Sequence, residues 1–268
     1  MRQHVAPPGP PPTVLVFAPR ERTRTLARDT FPRRRWRLVV RRTVDEFGRA
    51  FHEELIDAAI VDLGAAHEEN WQAAALAREY PSVPFFALTT LRAADGPVLA
   101  QCAALEFADV LVEDVDEEAI RELVQRQAYT TRFTRALGAP PESLALTTEL
   151  QVGAWQYVVN HAGRPVRTAA LADSLGVTRE HLSRTFSADG APNLKRIIDL
   201  VRVIGAAELA KNPGYDVRDV ARVLGFASSS HLSSTAQRIA GTRPASLARL
   251  RAVDLVERFN RGHARSRG

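Results

Sequence analysis

The chain has 268 residues, 45% hydrophobic and 25% charged, enough for two domains of ordinary size in a soluble protein. It has no run of eighteen apolar residues, which excludes a transmembrane helix and gives no reason to expect a membrane partner. One cysteine, Cys102, excludes an intrachain disulfide framework and a cysteine-based metal cluster. The net charge of +5 is uneven: residues 1–127 hold 16 Arg against 20 acids, and residues 128–268 hold 20 Lys and Arg against 11 acids. That asymmetry points the C-terminal half at a polyanion, although only Lys195 and Lys211 are lysines and much of the arginine is compositional.

The opening, MRQHVAPPGPPPT, lacks the apolar core of an export signal; residues 1–12 read as a disordered leader, and a cytoplasmic protein is expected. From Thr13 short apolar runs alternate with stretches of helical spacing. TVLVF (13–17), WRLVV (36–40), AAIVDL (58–63), VPFFALT (83–89) and ADVLV (108–112) lack polar alternation, as strands buried on both faces do. Residues 20–30, 42–57, 67–80 and 95–106 lie between them and suit helices. Five such units predict a doubly wound parallel sheet. A long last helix is predicted from Asp116 to Leu137. Its apolar stripe of Ile120, Leu123, Val124, Phe133 and Leu137 packs on the sheet first and on a second copy beyond residue 127. Residues 13–137 therefore read as an α/β domain. Glycine and paired prolines in GAPPES (138–143) break the pattern, and residues 138–146 read as a linker.

Residues 147–260 read as all helix, ahead of a basic tail at 261–268, so the expected fold class is α/β plus all-α. Helical spacing covers 147–162, 168–175, 178–187, 193–211, 217–224, 229–239 and 244–259, with breaks at Gly163-Arg164-Pro165, Gly176, Gly190, Pro213-Gly214 and Gly225. Ala172, Gly176 and Leu182 stand at helix-turn-helix offsets: a small residue where two helices approach, a glycine for the turn, and a leucine that packs the second helix on the first. Ala221, Gly225 and Leu232 repeat this with a turn one residue longer. LGVTREHLSRTF and LGFASSSHLSSTA are two copies of one text.

With LADSLGVTREHLSRTF, the connecting IIDLVRVIGAAELA, and DVARVLGFASSSHLSS followed by AGTRP, residues 148–251 resemble the AraC/XylS family of transcription regulators. The resemblance implies a double-stranded DNA partner whose successive major grooves, about 34 Å apart, receive both second helices, spaced by the helix 193–211. In the first unit Thr178 suits an N-cap, so Arg179, Glu180, Ser183 and Arg184 face outward. Arg184 carries the fork that matches guanine O6 and N7, and Glu180 offers an acceptor to cytosine N4. In the second, Ser228, Ser229 and Ser230 open the helix, where hydroxyls and N–H groups suit phosphate. Ser233, Ser234 and Gln237 are placed for base edges and Arg238 for the DNA backbone. The chain departs from the family at Ala191, where a helix-ending glycine is usual, with Gly190 just before it. Ala236 and Ala240 replace aromatics, and Ser234 replaces an arginine. The lost aromatic volume predicts a core short by about 2–4 kcal/mol per site unless neighbours fill it.

The α/β domain resembles the receiver domain of response regulators over residues 13–127. Asp62 ends the third strand, where that family's phospho-accepting aspartate sits, and Thr89 ends the fourth, at its switch hydroxyl. The acidic pair that holds Mg²⁺ in receivers is here Ala18 and Pro19, and their lysine after strand five is Glu113. Phosphoryl transfer to a carboxylate needs the metal and a cation. Asp62 is therefore a vestigial acceptor position, and its plainer reading is a strand-end carboxylate capping a turn or helix. The resemblance also implies a flavodoxin-like strand order 2-1-3-4-5 and a homodimer formed through residues 95–137. Ten arginines against two acids lie between Arg20 and Arg42; on an edge strand, Arg37, Arg41 and Arg42 either guard against mispairing or form a basic patch for DNA.

His181 and His231 occupy matching places before the packing leucines, which the repeat explains; neither has a partner at ligand spacing, so neither metal nor cofactor is expected. GxSxG, P-loop, HExxH and GxGxxG motifs are missing. The expectation is a sequence-specific DNA-binding regulator and not an enzyme, with a regulatory or pairing α/β domain and RNA polymerase as a further partner. The rivals are a ligand sensor using the C-terminal ends of the strands, an enzyme built on the α/β domain, and an interaction protein whose second helical unit has lost DNA reading.

Overall fold

The computed structural model describes residues 9–65, 67–90, 92, 95–113, 117–187 and 191–265. The chain divides into two compact units, one of residues 11–132 with 212–219, the other of residues 1–10, 133–211 and 220–268. Most of the expected leader and part of the expected tail, along with Asp116 and Gly190, lie outside the described residues.

In the sheet unit, β1 (Thr13–Phe17), β2 (Arg37–Arg41), β3 (Ala58–Asp62), β4 (Phe85–Thr89) and β5 (Asp109–Val112) form an all-parallel sheet of order β2-β1-β3-β4-β5. Val14 pairs with Leu38 and with Ala58, Ile60 with Phe86, and Ala87 with Val110. The three central strands are buried throughout, which is why their sequences are continuous apolar runs, whereas β2 and β5 lie on the edges and are partly exposed. The helices are α1 (Glu21–Thr30), α2 (Val44–Glu53), α3 (Glu68–Ala75), α4 (Gly96–Ala104) and α5 (Glu117–Gln127). On one face Val14, Val16, Ile60 and Phe86 pack with Phe31, Trp36, Ile120 and Val124. Elsewhere in the unit Phe51 stacks on Tyr80 and Phe85, with ring centroids 4.1 and 5.8 Å apart. Tyr215, from segment 212–219 of this unit, packs edge-on to Tyr80 at 5.0 Å.

The long helix expected from 116 to 137 is two helices, α5 and α6 (Tyr129–Leu137). The cause is Asp57, a fully buried aspartate before β3. Its carboxylate accepts from the Thr13 N–H (2.8 Å), the Thr130 N–H (3.0 Å) and the Thr130 hydroxyl, and its carbonyl accepts from the Tyr129 N–H (2.8 Å). The N–H groups that begin α6 are thus diverted to Asp57, and the chain turns at Ala128. The proposed dimer stripe is interrupted there. Ile120 and Val124 join the sheet core, and Phe133 is already buried within the chain.

In the helical unit, α7 (Glu149–Asn160) opens with a capping box between Thr148 and Gln151. The residues after Gly138 are folded: Leu144 and Leu146 are buried, and Trp155 Nε1–H donates to the Gly138 carbonyl (3.0 Å). Then follow α8 (Thr168–Ser174), α9 (Arg179–Ser187), α10 (Leu194–Leu209), α11 (Val217–Val223) and α12 (Ser229–Ala240). Asn193 caps α10, which is buried on nearly every face and forms the unit's axis. The single helix expected over 244–259 is instead a 3-10 turn at Pro244–Arg249 followed by α13 (Ala252–Arg265). Leu250 is extended between them, and Asp254 restarts the helix by accepting from the Arg251 N–H (2.9 Å). α13 packs on α10 and α12 and buries Leu255 and Phe259 completely. Ala236 and Ala240 of α12 are buried, so neighbours fill in around the small side chains and offset the expected shortfall.

Candidate nucleic-acid interface

Two helix pairs, α8–α9 and α11–α12, are built by the same local rules. In the first, α8 ends where Gly176 takes φ +68° and the Val177 N–H returns to the Ala172 carbonyl (3.1 Å). In the second, Gly225 takes φ +60° and the Phe226 N–H returns to the Ala221 carbonyl (2.8 Å). A left-handed residue lets each helix turn back while its last carbonyls stay satisfied. Thr178 Oγ1 then accepts from the His181 N–H and Ser228 Oγ from the His231 N–H, both at 3.1 Å, so the two second helices have equivalent N-caps. Ala172, Leu182, Ala221 and Leu232 are all buried at these junctions.

The expected reading faces differ between the two pairs. On α9, Arg179, Glu180, Ser183 and Arg184 are exposed, as is His181. Arg184 makes no ion pair among the described residues. On α12, Ser230, Ser234, Gln237 and Arg238 are exposed, and Ser229 and Ser233 are partly buried. Here the polar groups are largely used at home. Ser228 is the cap, the Ser233 hydroxyl donates to the Ser229 carbonyl (2.9 Å), the Ser234 hydroxyl donates to the His231 carbonyl (3.1 Å), and Arg238 pairs with Asp199 of α10 (2.9 Å). Arg184 therefore sits exposed on its helix face without an ion pair among the described residues, whereas α12 presents serine hydroxyls already bonded to its own backbone.

One residue of this region is not signalled by the motif. Arg202 of α10 is buried, with its guanidinium 3.8 Å from the centroid of the Phe226 ring. It donates to the carbonyls of Leu224 (3.1 Å) and Gly225 (3.2 Å), which fastens the second turn to the axial helix.

The sheet unit carries the second candidate site, at the C-terminal ends of its strands. Asp62 is fully buried, and Arg20 occupies its approach: Nε–H lies 2.9 and 2.8 Å from the two carboxylate oxygens. Asp62 also accepts from the Thr23 hydroxyl (2.6 Å) and the Gly64 N–H (3.1 Å), so it caps the turn after β3. Glu113 pairs with the same Arg20 guanidinium and lies 2.9 Å from Arg22 Nε. The Asp62 hydrogen bond and the two carboxylates hold the Arg20 guanidinium above its usual range, against the opposing effect of burial. The residues that replace a receiver's acidic pair, Ala18 and Pro19, offer no carboxylate, and their carbonyls accept from Arg24. This donor set does not fit a Mg²⁺ ion. Glu113 is the partner of a tethered guanidinium that neutralises Asp62 in the metal's stead. Thr89 is buried, its hydroxyl 3.4 Å from Asp95. The edge arginines are paired too, Arg37 with Glu54 and Arg41 with Glu53, as suits strand protection more than a DNA patch.

Residues 171–249 match the family model described as "Helix-turn-helix domain". Over part of its length the chain is similar to a response regulator from Thermotoga maritima, 16% identical over 44% of this chain and 97% of that one, with a TM-score of 0.39. It is similar to a signal receiver domain of an HD domain-containing protein from Pseudomonas fluorescens Pf-5, 18% identical over 46% and 93%, with a TM-score of 0.40. It is also similar to a response regulator protein from Burkholderia pseudomallei with a phosphorylated aspartic acid, calcium ion and citrate, 22% identical over 65% and 97%, with a TM-score of 0.37. The comparison with curated proteins gave no match. No helix among the described residues is long and apolar enough to cross a membrane. Residues 171–249 thus match a helix-turn-helix domain and share the chain with a five-stranded parallel sheet of order β2-β1-β3-β4-β5, a make-up that suits a DNA-binding transcription regulator.

Proposed function

We propose that this chain is a sequence-specific regulator that reads DNA through two helix-turn-helix units, and that α9 is the principal reader. The observation that carries the reading is the repeated turn and N-cap geometry of α8–α9 and α11–α12, combined with an exposed Arg184 on α9 that has no ion pair among the described residues. Arg184, Ser183, Glu180 and Arg179 contact bases and phosphates in one major groove, with Thr178 at the helix end. The second helix docks with Ser228, Ser229 and Ser230 toward phosphate and Ser234, Gln237 and Ser233 toward base edges. Arg238 steadies α12 through Asp199. Selection of bound sequences from a random duplex pool, run on the full chain, tests this. A bipartite motif with half-sites about one helical turn apart is expected, and recovery of random sequence would overturn it.

The sheet domain regulates without a phosphorelay, because Asp62 is already neutralised by Arg20. The surface of α4, β5 and α5, where Leu99 is exposed, is the proposed seat of pairing between two copies. Sedimentation of the full chain, with Leu99→Glu as the disrupting variant, tests that pairing. Contact with RNA polymerase belongs to the same proposal.

A further inference from the structure

The C-terminal ends of the strands, where ligands of doubly wound sheets usually bind, are filled by Arg20. The opposite edge of the same sheet holds a cavity of about 400 Å³, where β4 and β5 begin. Its floor is apolar and buried: Val83, Phe85 and Leu105. Its rim is polar: Arg78, Glu106, Gln127 and Arg132. None of these four side chains has a hydrogen-bond or ion-pair partner among the described residues, unlike the arginines of the strand edge and of the Asp62 site. A cavity of this size, lined by buried apolar side chains and a few exposed polar ones, has the make-up of a small-molecule site.

A second observation concerns Glu106. It has φ +57°, the left-handed conformation that ends α4 and that glycine adopts most readily. The turn itself is served by the Phe107 N–H, which returns to the Cys102 carbonyl (3.1 Å), so the carboxylate contributes nothing to it. A strained, charged residue with no internal partner, set on a cavity rim, marks a place where a side chain is kept for something outside the chain.

We propose that this cavity binds a small organic anion, a carboxylate or phosphate monoester with a short apolar body, whose anionic head is held by Arg78 and Arg132. Guanidinium forks match both kinds of head group. Val83, Phe85 and Leu105 receive the apolar body. Glu106 admits a ligand only if an O–H or N–H donor faces it, and it repels a second anionic group. The inference goes beyond the DNA-binding reading and does not depend on it.

The test is isothermal titration and thermal melting of the full chain with 4-hydroxybenzoate, with 4-hydroxyphenyl phosphate, and with 4-hydroxybenzylamine as the cationic control. Binding of at least one anion, and not of the amine, is expected, and the two anions distinguish carboxylate from phosphate. The double variant Arg78→Gln/Arg132→Gln should weaken that binding roughly tenfold or more. Glu106→Gly should leave the unliganded protein as stable or more so, while weakening the hydroxyl-bearing probes. No binding by either anion at millimolar concentration, equal binding of the amine, or unchanged binding by the double variant would each overturn the proposal.

Discussion

Arg202 and Phe226 form a buried cation–π pair, guanidinium carbon 3.8 Å from the ring centroid, on the same arginine that caps the Leu224 and Gly225 carbonyls. Burial pushes the Arg202 guanidinium below its usual range, against the opposing pull of Asp199, yet an arginine so placed keeps its charge at neutral pH. Arg202→Met preserves volume but leaves both carbonyls short of a donor and the ring without a cation. A loss of about 2–3 kcal/mol in urea unfolding is expected. Arg202→Lys should recover little of it, because an ammonium cannot reach two carbonyls and cover a ring with one planar group. A lysine variant as stable as the parent would show that charge alone matters.

The contrast between α9 and α12 can be measured directly. On a selected duplex, Arg184→Ala should cost about 1–3 kcal/mol and relax one base position. Ser234→Ala should cost less, since its hydroxyl already donates to the His231 carbonyl. Gel-shift titrations at fixed salt compare the two, and equal effects would remove α9 as the main reader.

Removing Arg20 exposes what it balances. In Arg20→Met, the fully buried Asp62 carboxylate keeps, among the described residues, Thr23 and Gly64 as donors. Breaking a buried pair costs about 3–5 kcal/mol; because the Arg20 side chain is 26% exposed, about 2–3 kcal/mol is expected here. Adding Asp62→Asn should restore most of the loss, and a double-mutant cycle in urea reports the coupling. In the parent chain, acetyl phosphate with Mg²⁺ should leave Asp62 unlabelled by intact-mass measurement.

A pH effect is expected in the helical unit from His161. Its Nδ1–H donates to the Tyr157 carbonyl (2.8 Å); burial, helped by Arg164, lowers its pKa below the ordinary histidine value despite that bond. The unfolded chain therefore takes up a proton before the folded chain does. Stability from this group is complete above the ordinary histidine range and is lost as pH falls through it. Melting temperature should drop between about pH 7.5 and about pH 5.5, and less so in His161→Asn, which keeps a donor but does not titrate. Identical pH profiles for the two proteins would rule His161 out as the cause.

Much of this architecture could be read before any coordinates. The five strands announce themselves because continuous apolar runs are what a doubly covered sheet demands, and Ala172/Gly176/Leu182 with Ala221/Gly225/Leu232 mark both turns because a close approach, a left-handed residue and a packing leucine have few substitutes. What stayed hidden depends on long-range partners. Helical periodicity runs unbroken through Ala128, so the split between α5 and α6 is invisible until Asp57 is seen to claim the Thr130 and Tyr129 N–H groups. Arg20 and Arg202 vanish into an arginine-rich composition, in which a paired cation reads the same as a solvated one. Glu106 gives no warning either, since a left-handed helix end is sought at glycine.

The Arg20–Asp62 contact changes what the sheet domain can notice. A dissolved ion comes and goes with its concentration and can be stripped by a chelator, whereas a guanidinium carried a few dozen residues away on the same backbone is always at hand. On the proposed reading the domain is indifferent to the magnesium and phosphodonor levels of its surroundings, and a chelator should leave its melting curve where it was. On that reading, a signal for this domain arrives at some other face.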